Sequence, residues 1–151
     1  MVERQRLTVR SEEETARVAA ELATTLRPGS IVLLYGDLGA GKTEFVRGMA
    51  PALGIDPDEV SSPTFALVQP YAGSRVTMFH VDLYRLEGAE IEELGLDDLA
   101  TDAVVVVEWA ERLLRPPAGA IHVRLSDLGG DRRSIQIDSP GRVDWGPAEA
   151  D

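Results

Sequence analysis

The chain has 151 residues, no cysteine, and 26 acidic against 15 basic residues, which gives a formal net charge of −11. This length favours one domain with a sizeable core, and the lack of cysteine excludes disulfides and thiolate metal sites. Strong direct binding to nucleic acid is not expected, because phosphates repel so acidic a surface. No apolar run reaches membrane-spanning length and the N-terminus is charged, so we expect a cytoplasmic protein without a membrane partner.

The first predicted elements are a helix and a strand. Ser11 and Glu14 have the spacing of a capping box, which predicts a helix that begins at Ser11. Residues 27–29, Arg-Pro-Gly, should end this helix. The apolar run at 31–35 then has the length and composition of a buried strand.

The most informative motif follows that strand. Residues 36–43 read G-D-L-G-A-G-K-T and match the phosphate-binding pattern G-x-x-x-x-G-K-[ST] in full. Apolar residues at helical spacing follow, so the motif has the strand and the helix that a P-loop requires. Its glycines let backbone N–H groups face a phosphate, and its lysine is the only one in the chain. The predicted nucleotide-binding residues are Asp37, Leu38, Gly39, Ala40, Gly41, Lys42 and Thr43.

The remaining elements complete an α/β pattern. Pro51 should either end the P-loop helix near Met49 or kink it. The later predicted elements are strands at 65–71, 76–84, 103–107, 121–125 and 135–137, and short helices at 87–99 and 109–114. We predict a P-loop NTPase-like three-layer sandwich, whose mixed sheet has a parallel centre and antiparallel hairpins at its edges. A single P-loop domain should cover 1–138, and 139–151 should be a flexible tail.

Glu108 follows four valines at the end of the predicted strand 103–107. In P-loop folds an acid at this place reaches the magnesium shell, while the P-loop hydroxyl, here Thr43, ligates the ion directly. A glutamate is longer than the usual aspartate and could instead polarise the attacking water. The alternative is an exposed acid at the end of a strand.

Two further segments carry polar residues that could act in catalysis. Thr64, in S-S-P-T-F, offers a hydroxyl that could meet the γ-phosphate and magnesium, or it belongs to a plain turn. His80, Asp82 and Tyr84 alternate and should share one face of a strand. A His-x-Asp pair suits water positioning or support of a metal ligand, although a polar strand face turned to solvent explains the same pattern.

The ordered set G-D-L-G-A-G-K-T, S-S-P-T-F, H-V-D-L-Y-R-L and V-V-V-V-E-W resembles the bacterial TsaE family. These are small P-loop ATPases of the pathway that makes threonylcarbamoyladenosine in tRNA, and the resemblance covers about residues 11–137. It implies that ATP or ADP is bound with Mg²⁺ near Thr43 and Glu108. It also implies an essential Asp82, Thr64 in a mobile loop, and Trp109 beside the nucleotide.

The resemblance also implies less specific features. Ser11, Arg132 and Arg133 would lie near the adenosine moiety. The partner would be the threonylcarbamoyl-transfer protein complex of the TsaB/TsaD type, rather than tRNA alone. Pro51 departs from the family, in which the corresponding helix normally runs on.

Other functions remain open from the sequence. A small-molecule kinase on the same fold would need an arginine-rich lid, whereas the longest candidate segment, 87–99, is acidic. A scaffold would bind the nucleotide without turning it over. A GTPase is disfavoured, because its base-reading motif needs a second lysine and the chain has only one.

Overall fold

The computed structural model describes residues 3–61 and 67–140 and the backbone of 149–150. The strands of these residues are β1 (Glu3–Val9), β2 (Ile31–Tyr35), β3 (Val68–Tyr71), β4 (Thr77–Asp82), β5 (Ala103–Glu108), β6 (Ile121–Gly129), β7 (Arg132–Ser139) and β8 (Glu149–Ala150). The helices are α1 (Glu12–Thr24), α2 (Lys42–Leu53), α3 (Gly88–Glu93) and α4 (Leu96–Leu99), with 3-10 turns at Pro57–Glu59, Ala100–Asp102 and Ala110–Arg112.

All described strands lie in one mixed sheet, in the order β3-β4-β5-β2-β6-β7-β1-β8. The four central strands β4, β5, β2 and β6 run parallel, and the outer pairs are antiparallel. The predicted parallel centre with antiparallel edges is therefore confirmed. Because β2, β4 and β5 end at the same edge of the sheet, the residues that follow them converge there, as ligand-binding loops do in open α/β sheets.

The sheet separates two apolar clusters. On one face α1 and α2 pack on the sheet and on each other. They approach so closely that a Cβ atom at Gly48 would lie 2.8 Å from the Cα atom of Ala16. On the other face Ile91 of α3 and Leu96 of α4 are buried with residues of β2, β4 and β5. The chain thus forms three layers, helix, sheet and helix. The central layer contains β2, which precedes the P-loop, and β5, which ends at Glu108.

The helix ends follow the local sequence with one exception. The Ser11 hydroxyl accepts a hydrogen bond from the Glu14 N–H at 3.1 Å, so the predicted cap of α1 is confirmed. Of the two alternatives predicted for Pro51, an end of α2 near Met49 is wrong, because the helix continues through Pro51 to Leu53. Proline removes one N–H donor from the last turn, but its ring is exposed and Gly54, at φ +81°, closes the helix.

Several boundaries differ from the predicted ones. Strand β1 was not predicted, because its first four residues are polar or charged and its two buried apolar residues, Leu7 and Val9, lie only at its end. Strand β4 ends at Asp82, and the predicted helix 109–114 is a 3-10 turn. In the segment predicted as a tail, Ser139 belongs to β7, and β8 pairs with Leu7 and Thr8. None of the helices within the described ranges is long and apolar enough to cross a membrane.

Candidate functional site

The P-loop connects the end of β2 to the start of α2. At Gly36 a Cβ atom would lie 2.7 Å from the carbonyl oxygen of Leu125, so the loop begins where only glycine fits. Gly41, at φ +101°, is the N-cap of α2, and no side chain caps this helix end. The first backbone N–H groups of α2 are therefore not bonded to a capping side chain, and the helix dipole adds partial positive charge there. This cradle suits an anion such as a phosphate.

Lys42 lies inside this cradle and is 5% exposed. Its ammonium donates to the carbonyl oxygens of Gly36 and, at 3.3 Å, Asp37, and it lies 3.7 Å from the ring centroid of Trp109. Burial lowers the pKa of Lys42, while the surrounding carboxylates act to raise it. These carboxylates belong to Glu111, Glu108, Asp82 and Asp37. The Lys42 ammonium thus lies among four carboxylates.

Glu108 is the last residue of β5 and is 3% exposed. The Thr43 hydroxyl donates to its carboxylate, at 3.1 Å from Oε1 and 3.0 Å from Oε2. The Nε2 atom of His80 lies 2.6 Å from Oε2 of the same carboxylate. Glu108 is therefore buried and has two partners, so the alternative of an exposed acid at a strand end is wrong.

His80 is completely buried in β4. With Nε2 donating to Glu108, its Nδ1 atom has no hydrogen-bond partner among the described residues. An unpaired buried N–H costs more than an unpaired lone pair, so the tautomer with the proton on Nε2 fits best. The alternative that His80 belongs to a polar strand face turned to solvent is wrong. Strand β4 lies between β3 and β5, and the His80 side chain is completely buried.

Asp82 lies beside Glu108, since the two residues are paired in register across the parallel strands β4 and β5. It is 9% exposed, and its Oδ1 atom accepts a hydrogen bond from the Tyr84 N–H at 2.8 Å. His80 and Asp82 share one face of β4 as predicted. Tyr84 does not belong to that face, because the strand ends at Asp82; its ring packs against Trp109 with centroids 4.9 Å apart.

The donor set suits Mg²⁺ held together with a nucleotide. Thr43 and Glu108 offer oxygen ligands, which Mg²⁺ prefers. The Thr43 hydroxyl can donate a hydrogen bond to Glu108 while its oxygen lone pairs face a cation. No group of three metal-ligating side chains exists among the described residues. Mg²⁺ in nucleotide sites is commonly held by one or two protein ligands together with substrate phosphates and water.

Similar proteins identify the family of this chain. The family model described as "Threonylcarbamoyl adenosine biosynthesis protein TsaE" matches residues 9–135. The chain belongs to the TsaE family. It is 43% identical over 134 residues to the TsaE protein of Rickettsia conorii, covering 86% of this chain and 75% of that protein. The TsaE protein of Bacillus subtilis is 38% identical over 131 residues, covering 85% of this chain and 82% of that protein.

A solved structure has a similar fold over most of this chain. The crystal structure of Bacillus subtilis YdiB matches with a TM-score of 0.73 and 32% sequence identity. The match covers 93% of this chain and 88% of that chain. The resemblance of the four sequence motifs to the TsaE family is thus confirmed.

Arg133 and Ser11, which the TsaE resemblance singled out, lie at the border of the site. Arg133 donates from Nε to the Ala40 carbonyl at 3.1 Å and from Nη2 to the Gly39 carbonyl at 3.5 Å, so it contacts the P-loop itself. Val9 pairs with Arg133, which places Ser11, two residues further, at the same end of the sheet. The Ser11 hydroxyl serves as the cap of α1. Leu38 is 84% exposed at the loop tip, and Thr64 lies outside the described residues.

Glu111 is a site residue that the sequence analysis missed. Its Oε2 atom accepts a hydrogen bond from the Gly36 N–H at 2.7 Å. The predicted helix at 109–114 gave no reason to point this side chain at the P-loop. Its only sequence signal is its position in E-W-A-E, three residues after Glu108.

Proposed function

We propose that this chain binds ATP together with Mg²⁺ and hydrolyses it in the biosynthesis of threonylcarbamoyladenosine in tRNA. The observation that carries the proposal is the meeting of the uncapped start of α2, Lys42 and the Thr43–Glu108 pair at one edge of the sheet. The pathway is that of the family to which the chain belongs. Because that pathway modifies tRNA, we propose the cytoplasm as the location.

The residues divide the work between binding and catalysis. The backbone of residues 37–43 and the Lys42 ammonium bind the phosphates, and a phosphate then takes the place of the carbonyl partners of Lys42. Thr43 and Glu108 would hold Mg²⁺, which neutralises charge that develops on the phosphate oxygens. Trp109 lies beside Lys42 and would border the nucleotide.

Asp82 and Glu108 are the candidates for positioning the attacking water. Their backbones are neighbours, and both side chains are nearly buried, which suits groups that act in a site with little water. Glu108 is already bonded to Thr43 and His80, which favours a role with the metal. Asp82 therefore suits the water-positioning role better, with Oδ1 fixed by the Tyr84 N–H.

We propose that the ATPase acts on a threonylcarbamoyl-transfer complex of the TsaB/TsaD type. The family name supports the pathway, and the net charge of −11 favours a protein surface over naked tRNA as the partner. Arg133 and Ser11 would border the adenosine side, since Arg133 contacts the P-loop at Ala40.

Calorimetric titration with ATP and Mg²⁺, followed by turnover assays with and without the purified complex, tests this function. Wild-type protein should bind ATP and Lys42→Ala should lose most of that affinity, because the ammonium contacts phosphate and not the apolar core. Arg17→Ala, which removes one exposed cation from α1, is the matched control and should bind as wild type does. Equal affinity of wild type and Lys42→Ala would refute nucleotide binding at the P-loop.

A further inference from the structure

The last residue of β5 and the segment that follows it contact the P-loop at three points. Glu108 accepts the Thr43 hydroxyl, the Trp109 ring lies against Lys42, and Glu111 accepts the Gly36 N–H at 2.7 Å. The start of the loop and the start of α2 are thus tied to one short segment. Two of these contacts involve groups already assigned to phosphate and metal, whereas the Glu111 contact has no assigned role.

A backbone turn at Trp109 makes the third contact possible. Trp109 has φ 60° and ψ 42°, and it is the one non-glycine residue with positive φ within the described ranges. Residues other than glycine rarely adopt this left-handed conformation because of its steric cost, so the neighbouring contacts of the ring must hold it. It redirects the chain from β5 into the turn Ala110–Arg112, and Glu111 comes to lie over the end of β2.

We propose that Glu111 is a positioning residue of the nucleotide site, whose carboxylate holds the Gly36 N–H and so fixes the first residue of the P-loop. This inference rests on the proposed function and deepens it. Gly36 has no side chain to restrict it, and its carbonyl is also the acceptor for Lys42. Holding Gly36 therefore limits the conformations of the loop before the phosphate arrives, which reduces the entropic cost of binding.

The negative charge of Glu111 would not attract the nucleotide, because the phosphates are also negative. A carboxylate close to Lys42 repels nucleotide phosphates, so simple removal of its charge favours nucleotide binding. A positioning role acts through the acceptor oxygen instead. Glu111→Gln keeps an acceptor and loses the charge, whereas Glu111→Ala loses both, so the ratio of these two variants isolates the hydrogen bond.

The experiment measures ADP affinity by calorimetry for wild type, Glu111→Gln, Glu111→Ala and the control Glu93→Ala, which removes an exposed acid from α3. We expect Glu111→Ala to bind ADP roughly three- to tenfold more weakly than Glu111→Gln, since one hydrogen bond is lost. Amide exchange of Gly36 in the nucleotide-free protein should be faster in Glu111→Ala and restored in Glu111→Gln. Glu93→Ala should match wild type in both measurements.

The outcomes separate the two proposals. If wild type binds ADP and both Glu111 variants bind it equally, with unchanged Gly36 exchange, the positioning role is wrong and nucleotide binding stands. If wild type does not bind ADP, the proposed function is wrong, and the positioning role falls with it. Because Glu111 is exposed, both variants should fold, and thermal unfolding run beside the titrations verifies this.

Discussion

The Thr43 hydroxyl lies within 3.1 Å of both carboxylate oxygens of Glu108, so a hydrogen bond joins the first turn of α2 to the end of β5. This bond uses the hydroxyl proton and leaves the oxygen lone pairs of Thr43 for a cation. The geometry is therefore compatible with a magnesium ion that takes Thr43 as a direct ligand. It also couples the P-loop to β5, the strand that ends at Glu108.

Replacing Thr43 should test its hydroxyl directly. Thr43→Ala should lose the magnesium-dependent part of turnover, by roughly a hundredfold or about 3 kcal/mol, because one contact to the developing charge disappears. Thr43→Ser keeps the hydroxyl and should retain most of the activity. Turnover measured against Mg²⁺ concentration in the presence of the partner complex checks this. Similar rates for the serine and alanine variants would remove Thr43 from the metal site.

Glu108 should also matter to stability, because His80 depends on it. Glu108→Ala leaves the buried Nε2–H of His80 without its acceptor, and an unsatisfied buried donor costs roughly 1–3 kcal/mol. Glu108→Gln supplies an amide oxygen and should lose less stability while still losing turnover, since it lacks the charge. Urea unfolding of the nucleotide-free proteins measures the difference. Alanine and glutamine variants of equal stability would contradict the proposed His80–Glu108 hydrogen bond.

The sequence predicted the parts of the site that short-range patterns encode. The P-loop, the helix after it and the acid after four valines follow from motif, periodicity and strand length. Sequence alone could not show that β4 lies next to β5, since strand order depends on long-range packing. That adjacency is what buries His80 and places Asp82 beside Glu108.

Other features were hidden for local reasons. Strand β1 escaped notice because arginines on its exposed face interrupt the apolar pattern, although Leu7 and Val9 are buried. The left-handed turn at Trp109 is held by ring contacts that no propensity describes, and it directs Glu111 to the P-loop. Such conformations arise from the surrounding fold, so they are found only once the fold is known.

Asp82 should contribute to catalysis more than to nucleotide binding. Asp82→Asn retains an oxygen that can accept the Tyr84 N–H, so the local turn should persist while the negative charge is lost. We expect ATP affinity close to that of wild type, and loss of both partner-activated turnover and tRNA modification. Calorimetry and single-turnover hydrolysis distinguish the two effects. Weak binding with normal single-turnover hydrolysis would reverse the role assigned to Asp82.

Acid should weaken the fold partly through Asp138. Burial acts to raise its pKa, but hydrogen bonds and charges from Arg4, Gln136 and Arg124 outweigh burial and hold the pKa of Asp138 below its usual range. The resulting stability is fully present above the unfolded-state pKa of about 3.9 and is lost as pH falls through the lower folded-state pKa. The effect should be small, because the Arg4 side chain is 69% exposed.

The variant Asp138→Asn isolates this contribution. Its stability relative to wild type should be lower by a constant amount above about pH 5, and the difference should shrink below about pH 4. Urea unfolding across that range measures it. A stability difference that is independent of pH down to pH 2 would show that the charge of Asp138 is not responsible.

Hydrolysis should be slow for the isolated chain and rise with the protein partner. Two described arginines at the border of the site already have partners, since Arg133 donates to the carbonyls of Gly39 and Ala40 and Arg112 lies over the Tyr84 ring. An arginine that neutralises the transferring phosphoryl group raises the rate of hydrolysis on the order of a thousandfold or more, and a partner can supply it.

Steady-state ATPase activity should be low for the isolated chain, little changed by tRNA, and strongly raised by the threonylcarbamoyl-transfer complex. Arg85→Ala serves as the control for an arginine from the chain itself and should keep the activated rate. Three results would each overturn the proposal that the partner supplies the cation. They are fast turnover by the pure chain, full activation by tRNA alone, and loss of activation in Arg85→Ala.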